Sequence, residues 1–255
     1  MLIVVSPAKK LNFEVPAPTT KFTVPTELSK SKKLIKELKN CDSKKISSLM
    51  KLSESLTELN VERYKKFKTP FNLKNSKQAI FAFKGDTYVG LDAETMKECD
   101  IDYAQDHLRI LSGLYGLVSP LDLVQPYRLE MGTKFPCDGS KNLYEFWKET
   151  ITEKLSTLLK KEKYLINLAS KEYFSAVNVN KIDAKIITPS FKEKKGDEYK
   201  MIGFFAKKGR GMMSRYIIDN RIEDPKNLLN FNLDGYKYNK KLSTNLNPVF
   251  TRKAK

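Results

Sequence analysis

The stretch LRILSGLYGLVSPLDLVQPYRLEMG, Leu108 to Gly132, constrains the fold more than any other part of this chain. It contains no lysine, in a sequence where Lys+Arg number 47 against 30 Asp+Glu. Glycines, prolines and tyrosines interrupt a dense set of leucines, and the basic residues here are Arg109 and Arg128. The pattern predicts a helix ending near Leu111, a glycine hairpin over Ser112, Gly113, Leu114, Tyr115 and Gly116, and a second element beyond Pro120. That is the outline of a helix-hairpin-helix, whose glycine N–H groups contact phosphate oxygens without reading bases. The usual loop is Gly-hydrophobic-Gly, and this one is a residue longer. Further on, Arg128 and Glu130 fall on one side of an extended segment and Tyr127 and Leu129 on the other. Arg128 and Glu130 are then either an ion pair on a cleft floor or a partly exposed cross-strand pair.

A chain of 255 residues suits one domain or two small ones and can bury a substantial core. The formal net charge of +17 decides more. Such a field attracts polyanions, nucleic acid first and an anionic membrane surface second. The competing reading is generic surface lysine scattered along helices. The longest uncharged run near the centre, Ile110 to Leu121, is broken by glycines and a proline, whereas a membrane span needs about 20 apolar residues. The N-terminal MLIVVSPAKK has no basic segment before its apolar part, unlike a signal peptide. Three cysteines without CxxC spacing fit reduced thiols in a cytoplasmic protein. A single histidine, His107, argues against a metal site and against a His-dependent triad. No metal and no cofactor are expected.

Leu2–Val5 predicts a buried strand, and SPAKK turns sharply out of it. Glu27 to Lys68 has helical periodicity with Asp42/Ser43 and Ser53 as N-cap candidates. AIFAFKGDTYVGL, residues 79–91, predicts a short apolar strand entering a glycine loop. Asp100 is a candidate cap for the helix that runs to Leu111. Asn142 to Lys160 is the clearest amphipathic helix, and Tyr164–Leu168 a strand after it. Lys185–Phe191 and Tyr199–Ala206 flank a charged glycine turn and predict a hairpin. A helix is expected to start near Gly211, and the tail to add edge strands around Tyr236, Tyr238, Val249 and Phe250. The mixed order gives an α+β fold, one compact domain over 1–255.

Five polar, glycine-bearing segments are candidates for chemistry: SPAK (6–9), FKGDTYVGL (83–91), the opening stretch, NLASKEYF (167–174) and AKKGRGMMSRYI (206–217). In the last, Lys207, Lys208 and Arg210 surround two glycines, and a helix start there would aim free N–H groups at an anion. A phosphate site and a solvated basic turn are both compatible with that pattern. Lys9 is either a phosphate clamp, a desolvated nucleophile or a surface lysine. Asp86 is either a general base or part of an Asx-type turn. Ser170 reads as a helix cap rather than a nucleophile.

Taken in order and with their spacing, these segments closely resemble the YaaA family of peroxide-stress-resistance proteins, from Met1 to about Phe250. The resemblance implies a single α+β domain with a positively charged cleft and a helix-hairpin-helix-like element, located here around Leu108 to Asp122. It implies non-sequence-specific DNA binding, protection against oxidative DNA damage and lower free iron, in a cytoplasmic protein expected to be a monomer with no membrane partner. The cleft residues it carries over are Lys9, Asp86, Arg128, Glu130, Lys207, Arg210 and Arg215, with Lys9, Asp86 and Glu130 as the catalytic candidates if the cleft is an enzyme acting on a nucleoside or DNA base. Two positions depart from the family pattern SPAKTLD: Lys10 stands for Thr and Asn12 for Asp. Gly209 stands for the Ala of KKARG.

Overall fold

The computed structural model describes residues 1–253. β1 (Leu2–Val5) is four aliphatic residues without alternation, all buried. Ser6–Lys9 turns out of it into the short β2 (Lys10–Leu11). After an extended, proline-bearing connector come α1 (Leu28–Lys39), α2 (Ser43–Met50) and α3 (Glu54–Lys66). The two expected caps form: Asp42 accepts from the Lys45 N–H and Ser53 from the Leu56 N–H. Each satisfies a donor that a helix start leaves orphaned.

Residues 79–91 do not form the strand their apolar character predicts. They follow β3 (Lys77–Gln78) as a helical turn, α4 (Ala79–Ala82), then β4 (Phe83–Lys84) and α5 (Asp86–Leu91). Periodicity cannot distinguish a short buried strand from a buried helical turn. α6 (Glu98–His107) stops before Leu111; its N-cap is Lys97 rather than Asp100, which lies in the first turn and accepts from the Lys97 N–H. The chain then passes directly into β5 (Leu108–Ser112), β6 (Gly116–Val118) and β7 (Leu123–Val124). α7 (Leu143–Leu159) is the amphipathic helix expected, capped by Asn142, and β8 (Tyr164–Leu168) follows it. Then come α8 (Lys171–Phe174), β9 (Lys185–Ile187), β10 (Ser190–Lys195) and β11 (Glu198–Lys200). The hairpin is β10–β11, turning at Gly196, whose φ of 62° suits glycine; β9 belongs to another sheet. α9 (Gly203–Asp219), β12 (Lys237–Tyr238) and β13 (Val249–Lys253) complete the chain.

The first sheet has the order β6-β5-β1-β8-β9. β1 lies at its centre with parallel neighbours on both edges, Ile3 opposite Leu108 and Ile166. A strand with no polar side needs cover on both faces, which is the usual state of parallel strands. The second sheet, β11-β10-β13-β12, puts β13 inside, between β10 and β12, rather than at the edge. Beneath it Arg252 and Glu193, both almost fully buried, pair at 2.7 Å. Helices and mixed sheets together make the α+β class expected. Among the described residues no helix is long and apolar enough to cross a membrane.

Two sequence expectations fail through close packing. The Gly113–Gly116 segment is a β-hairpin joining β5 to β6, not a loop between helices, and Ser112, Leu114 and Tyr115 are fully buried. Its glycines serve the core. The Trp147 indole N–H donates to the Gly113 carbonyl at 2.9 Å, and a Cβ on Gly116 would lie 2.7 Å from the indole ring. The Ser112 hydroxyl meets the Tyr127 hydroxyl at 2.7 Å and caps the turn by accepting from the Tyr115 N–H. No phosphate reaches N–H groups in that position.

The second failure is the start of α9, at Gly203 rather than near Gly211. Gly209 and Gly211 lie inside the helix because larger residues would not fit. A Cβ on Gly209 would sit 2.5 Å from the Phe191 ring, and one on Gly211 would sit 1.8 Å from the Thr87 carbonyl oxygen. Across the same crossing, a Cβ on Gly90 of α5 would be 2.2 Å from the Lys208 carbonyl oxygen. The backbones of α5 and α9 are in near contact, which only glycine permits.

Gly211→Ala therefore drives a methyl group into backbone that has nowhere to go. We expect a loss of at least about 2–3 kcal/mol in urea unfolding, or no folded protein. Gly203→Ala, whose added Cβ meets nothing within 4 Å, is expected to be neutral or stabilising by up to about 1 kcal/mol. Equal unfolding midpoints for the two variants would refute the close-crossing account.

Candidate functional site

Loops that leave the C-terminal ends of parallel strands commonly build sites. Here the Ser6–Lys10 loop leaves β1, and Ala169–Ser170 leaves β8 beside it. Hydrogen bonds fix the two loops to each other. The Ser170 N–H donates to the Ser6 hydroxyl at 2.9 Å, and the Ser170 hydroxyl caps α8. From α5, the buried Tyr88 hydroxyl donates to the Ser6 carbonyl at 3.1 Å. Burial pushes this phenol well above its ordinary pKa, so it stays protonated and remains a donor.

Around these loops lies a cavity of about 400 Å³. Its lining includes Lys9, Lys10, Lys84, Lys207 and Arg210, together with the carboxylates Asp86 and Glu172. Three elements supply the cations. Lys9 and Lys10 follow β1, Lys84 comes from β4, and Lys207 and Arg210 project from α9. Lys10 and Lys84 are directly opposite in the antiparallel β2–β4 pair. Like charges in that register oppose the pairing, so the site carries a repulsion that a bound anion would relieve.

Arg210 differs from the surface lysines. It is half-buried, and among the described residues no carboxylate is within ion-pair reach of its guanidinium. Burial alone pulls its pKa below the ordinary arginine value. A desolvated cation without a counter-ion costs stability, and the open space in front of it is the cavity.

Glu130 joins the cavity to the opening stretch. Its carboxylate pairs with Lys9 at 2.8 Å and with Arg128 at 3.1 Å, so Arg128 and Glu130 form the ion pair the sequence allowed. Tyr127 and Leu129 are buried, as the alternation predicts, although residues 125–130 lie outside any strand.

The expected site residues thus divide. Lys9, Asp86, Lys207 and Arg210 line the cavity, and Arg128 and Glu130 reach it through Lys9. Lys208 and Arg215 turn elsewhere: Lys208 pairs with Asp234 at 3.2 Å, and Arg215 with Asp219 at 2.7 Å while also donating to the Asp92 carbonyl. Ser112–Gly116 are buried in the hairpin. Sequence reasoning missed Lys10 and Lys84 as site residues; no local motif marks them, because the two-residue ladder that brings them together spans more than 70 residues. Ser170 is the cap the sequence suggested and also lines the cavity. Of the two departures from the family pattern, Lys10 adds a cation to the cavity. Asn12 is outside it, in a turn where its side chain accepts from the Val15 N–H.

A family model described as "Peroxide stress protein YaaA" matches residues 1–242. A protein of Flavobacterium johnsoniae named "UPF0246 protein" is 51% identical over 252 residues, covering 99% of this chain and 100% of the relative. Proteins of the same name from Hahella chejuensis and Shewanella loihica are each 50% identical over 254 residues, covering 99% of this chain and 99% and 98% of the relatives.

Arg210 gives a direct test of whether the cavity is built for an anion. Arg210→Met removes an unpaired, partly desolvated charge and keeps most of the packing. We expect the fold to hold or gain up to about 1 kcal/mol in urea unfolding. We also expect the rise in melting temperature that pyrophosphate gives the wild type to be lost. A destabilised variant whose pyrophosphate response is intact would mean that Arg210 is a structural residue.

Proposed function

The chain belongs to the peroxide stress protein YaaA family, and on that footing we propose that it is a cytoplasmic DNA-binding protein of the peroxide-stress response, which holds the phosphodiester backbone in the Lys9–Arg210 cavity and limits DNA damage and free iron. The cavity is the positively charged cleft in this reading. The observation that carries it is Arg210, a half-buried cation with no carboxylate partner among the described residues, beside a concave surface where lysines outnumber acids. Arginine in such a setting suits the planar, bidentate recognition of phosphate. The surrounding lysines act as point charges whose counter-ions are released on binding. Contacts of this kind position a strand without reading its sequence.

The hairpin at Gly113–Gly116 has no part in this contact. It fixes Trp147 and the extended segment that carries Arg128 and Glu130.

A second reading rests on the acids. Asp86 and Glu172 line the same cavity, and Glu130 touches Lys9. A surface that only held phosphates would exclude negative side chains. In the enzymatic alternative, the ligand is a nucleoside or an extruded DNA base. Glu130 or Asp86 then activates water, while Lys9 and Arg210 hold the neighbouring phosphate.

Binding predicts that log K for DNA falls linearly with log salt concentration, and that Lys207→Gln and Arg210→Gln each lower the slope by about 0.9. A flat salt response rejects it. The enzymatic alternative predicts that Glu130→Gln abolishes protection of cells from peroxide while DNA affinity stays within about threefold of wild type, a difference under about 0.7 kcal/mol. If protection and affinity fall together, binding is the whole account.

A further inference from the structure

A second cavity, of about 540 Å³, lies where α3 runs out into the loop before β3. Arg63, Lys65, Lys66 and Lys68 line it with Gln125 and Asn75, and no carboxylate does. Lys39 on α1 adds a further cation at the rim, its ammonium 3.5 Å from the Phe67 carbonyl. Basic residues in the last turn of a helix suit its dipole, and that accounts for Arg63, Lys65 and Lys66 as a solvated helix end.

It does not account for three other features. Lys68 lies beyond the helix, and its backbone is held at both ends by the buried Gln125: the Lys68 N–H donates to the Gln125 side-chain oxygen at 3.1 Å, and the Gln125 amide donates to the Lys68 carbonyl at 2.8 Å. The clamp fixes the backbone from which the Lys68 side chain leaves the loop. Arg63 has no carboxylate within ion-pair reach among the described residues, and its one side-chain contact is Asn60 at 3.3 Å. Burial, the largest effect, and the Arg128 charge both pull the Arg63 guanidinium below its ordinary value, against the opposing pull of Tyr64. Finally, a chain of contacts runs from Tyr64 of α3 to the cleft. The Tyr64 hydroxyl donates to the Arg128 carbonyl, Arg128 pairs with Glu130, and Glu130 pairs with Lys9.

We propose that this cavity is a second phosphate-binding site, which takes the backbone of the same nucleic acid that occupies the cleft, so that the binding surface runs from Arg210 through Lys9 and Arg128 to Lys68. This rests on the DNA-binding reading for its ligand. The chemistry is phosphate capture by Arg63, Lys66 and Lys68, which have no carboxylate partner among the described residues, together with Lys65, whose ammonium also meets Glu62 at 3.2 Å.

The test uses the full chain and the variant Lys65→Gln/Lys66→Gln/Lys68→Gln, whose side chains are exposed and whose melting temperature checks the fold. Binding is measured by fluorescence anisotropy, across salt concentrations, to a long duplex of roughly 24 base pairs. On this long duplex the variant is expected to lose at least tenfold in affinity and about 2–3 in salt slope. Wild-type affinity and slope on the long duplex overturn the proposal. Pyrophosphate gives a readout independent of DNA: it should shift the Lys68 backbone amide and the Gln125 side-chain amide in nitrogen-15 spectra of the wild type but not of the variant. No shift there means there is no site. Shifts at Lys68 together with an absence of DNA binding would sink the DNA-binding reading and the shared-strand claim, leaving a phosphate site alone.

Discussion

The burial of β1 on both faces and both edges is the constraint from which the rest of the molecule follows. Four consecutive aliphatic residues leave no side for water, so β5 and β8 must flank the strand and helices must cover it. Once β1 is central and parallel to both neighbours, the loops after β1 and β8 emerge side by side. Ser6 and Ser170 then fall within hydrogen-bonding distance. The α5–α9 crossing brings the remaining part. Because glycines let the two backbones touch, α9 comes close enough to set Arg210 over the Ser6–Lys10 loop. Neither feature is chemical in itself, yet between them they determine where the cations converge.

The charges in the cavity are arranged against the stability of the empty fold. Lys10 faces Lys84 across a two-residue ladder, and Arg210 gives up part of its hydration without gaining a counter-ion among the described residues. The second sheet shows how the same chain treats charge when structure is the only demand. There the buried Arg252 has Glu193 and Asp234 as partners and the faces of Phe205 and Tyr236 against it. The contrast between a satisfied guanidinium and an unsatisfied one, in one protein, is the physical basis for distinguishing scaffold from site.

Much of the scaffold was legible because it is local. Asp42 and Ser53 mark the helices that begin at the very next residue, and the periodicity from Asn142 onward needs only its own sequence. The misreadings share a cause. Gly113, Gly116, Gly209 and Gly211 suggest flexible loops or ligand contacts when read locally, and each is in fact a glycine because a distant residue presses on it: Leu129, Trp147, Phe191 or Thr87. Lys10 and Lys84 were invisible as a pair for the same reason. The opening stretch identified the family so well because its constraints come from the core. Its arginine and glutamate reach the site, but its hairpin does not.

The parallel partners of β1 also set the order in which the protein can assemble. Ile3 pairs with Leu108 and Ile166, so β1, once synthesised, has neither of these partners until more than 100 further residues have been made. At about 5–20 residues per second that is roughly 5–20 s. Throughout this interval an uncharged aliphatic run is exposed in the nascent chain, with its first native neighbour still untranslated. Non-local pairing of this kind slows folding and prolongs exposure to aggregation. The topology that gathers the site at the end of β1 thereby lengthens the time that this strand spends without its native neighbours during synthesis.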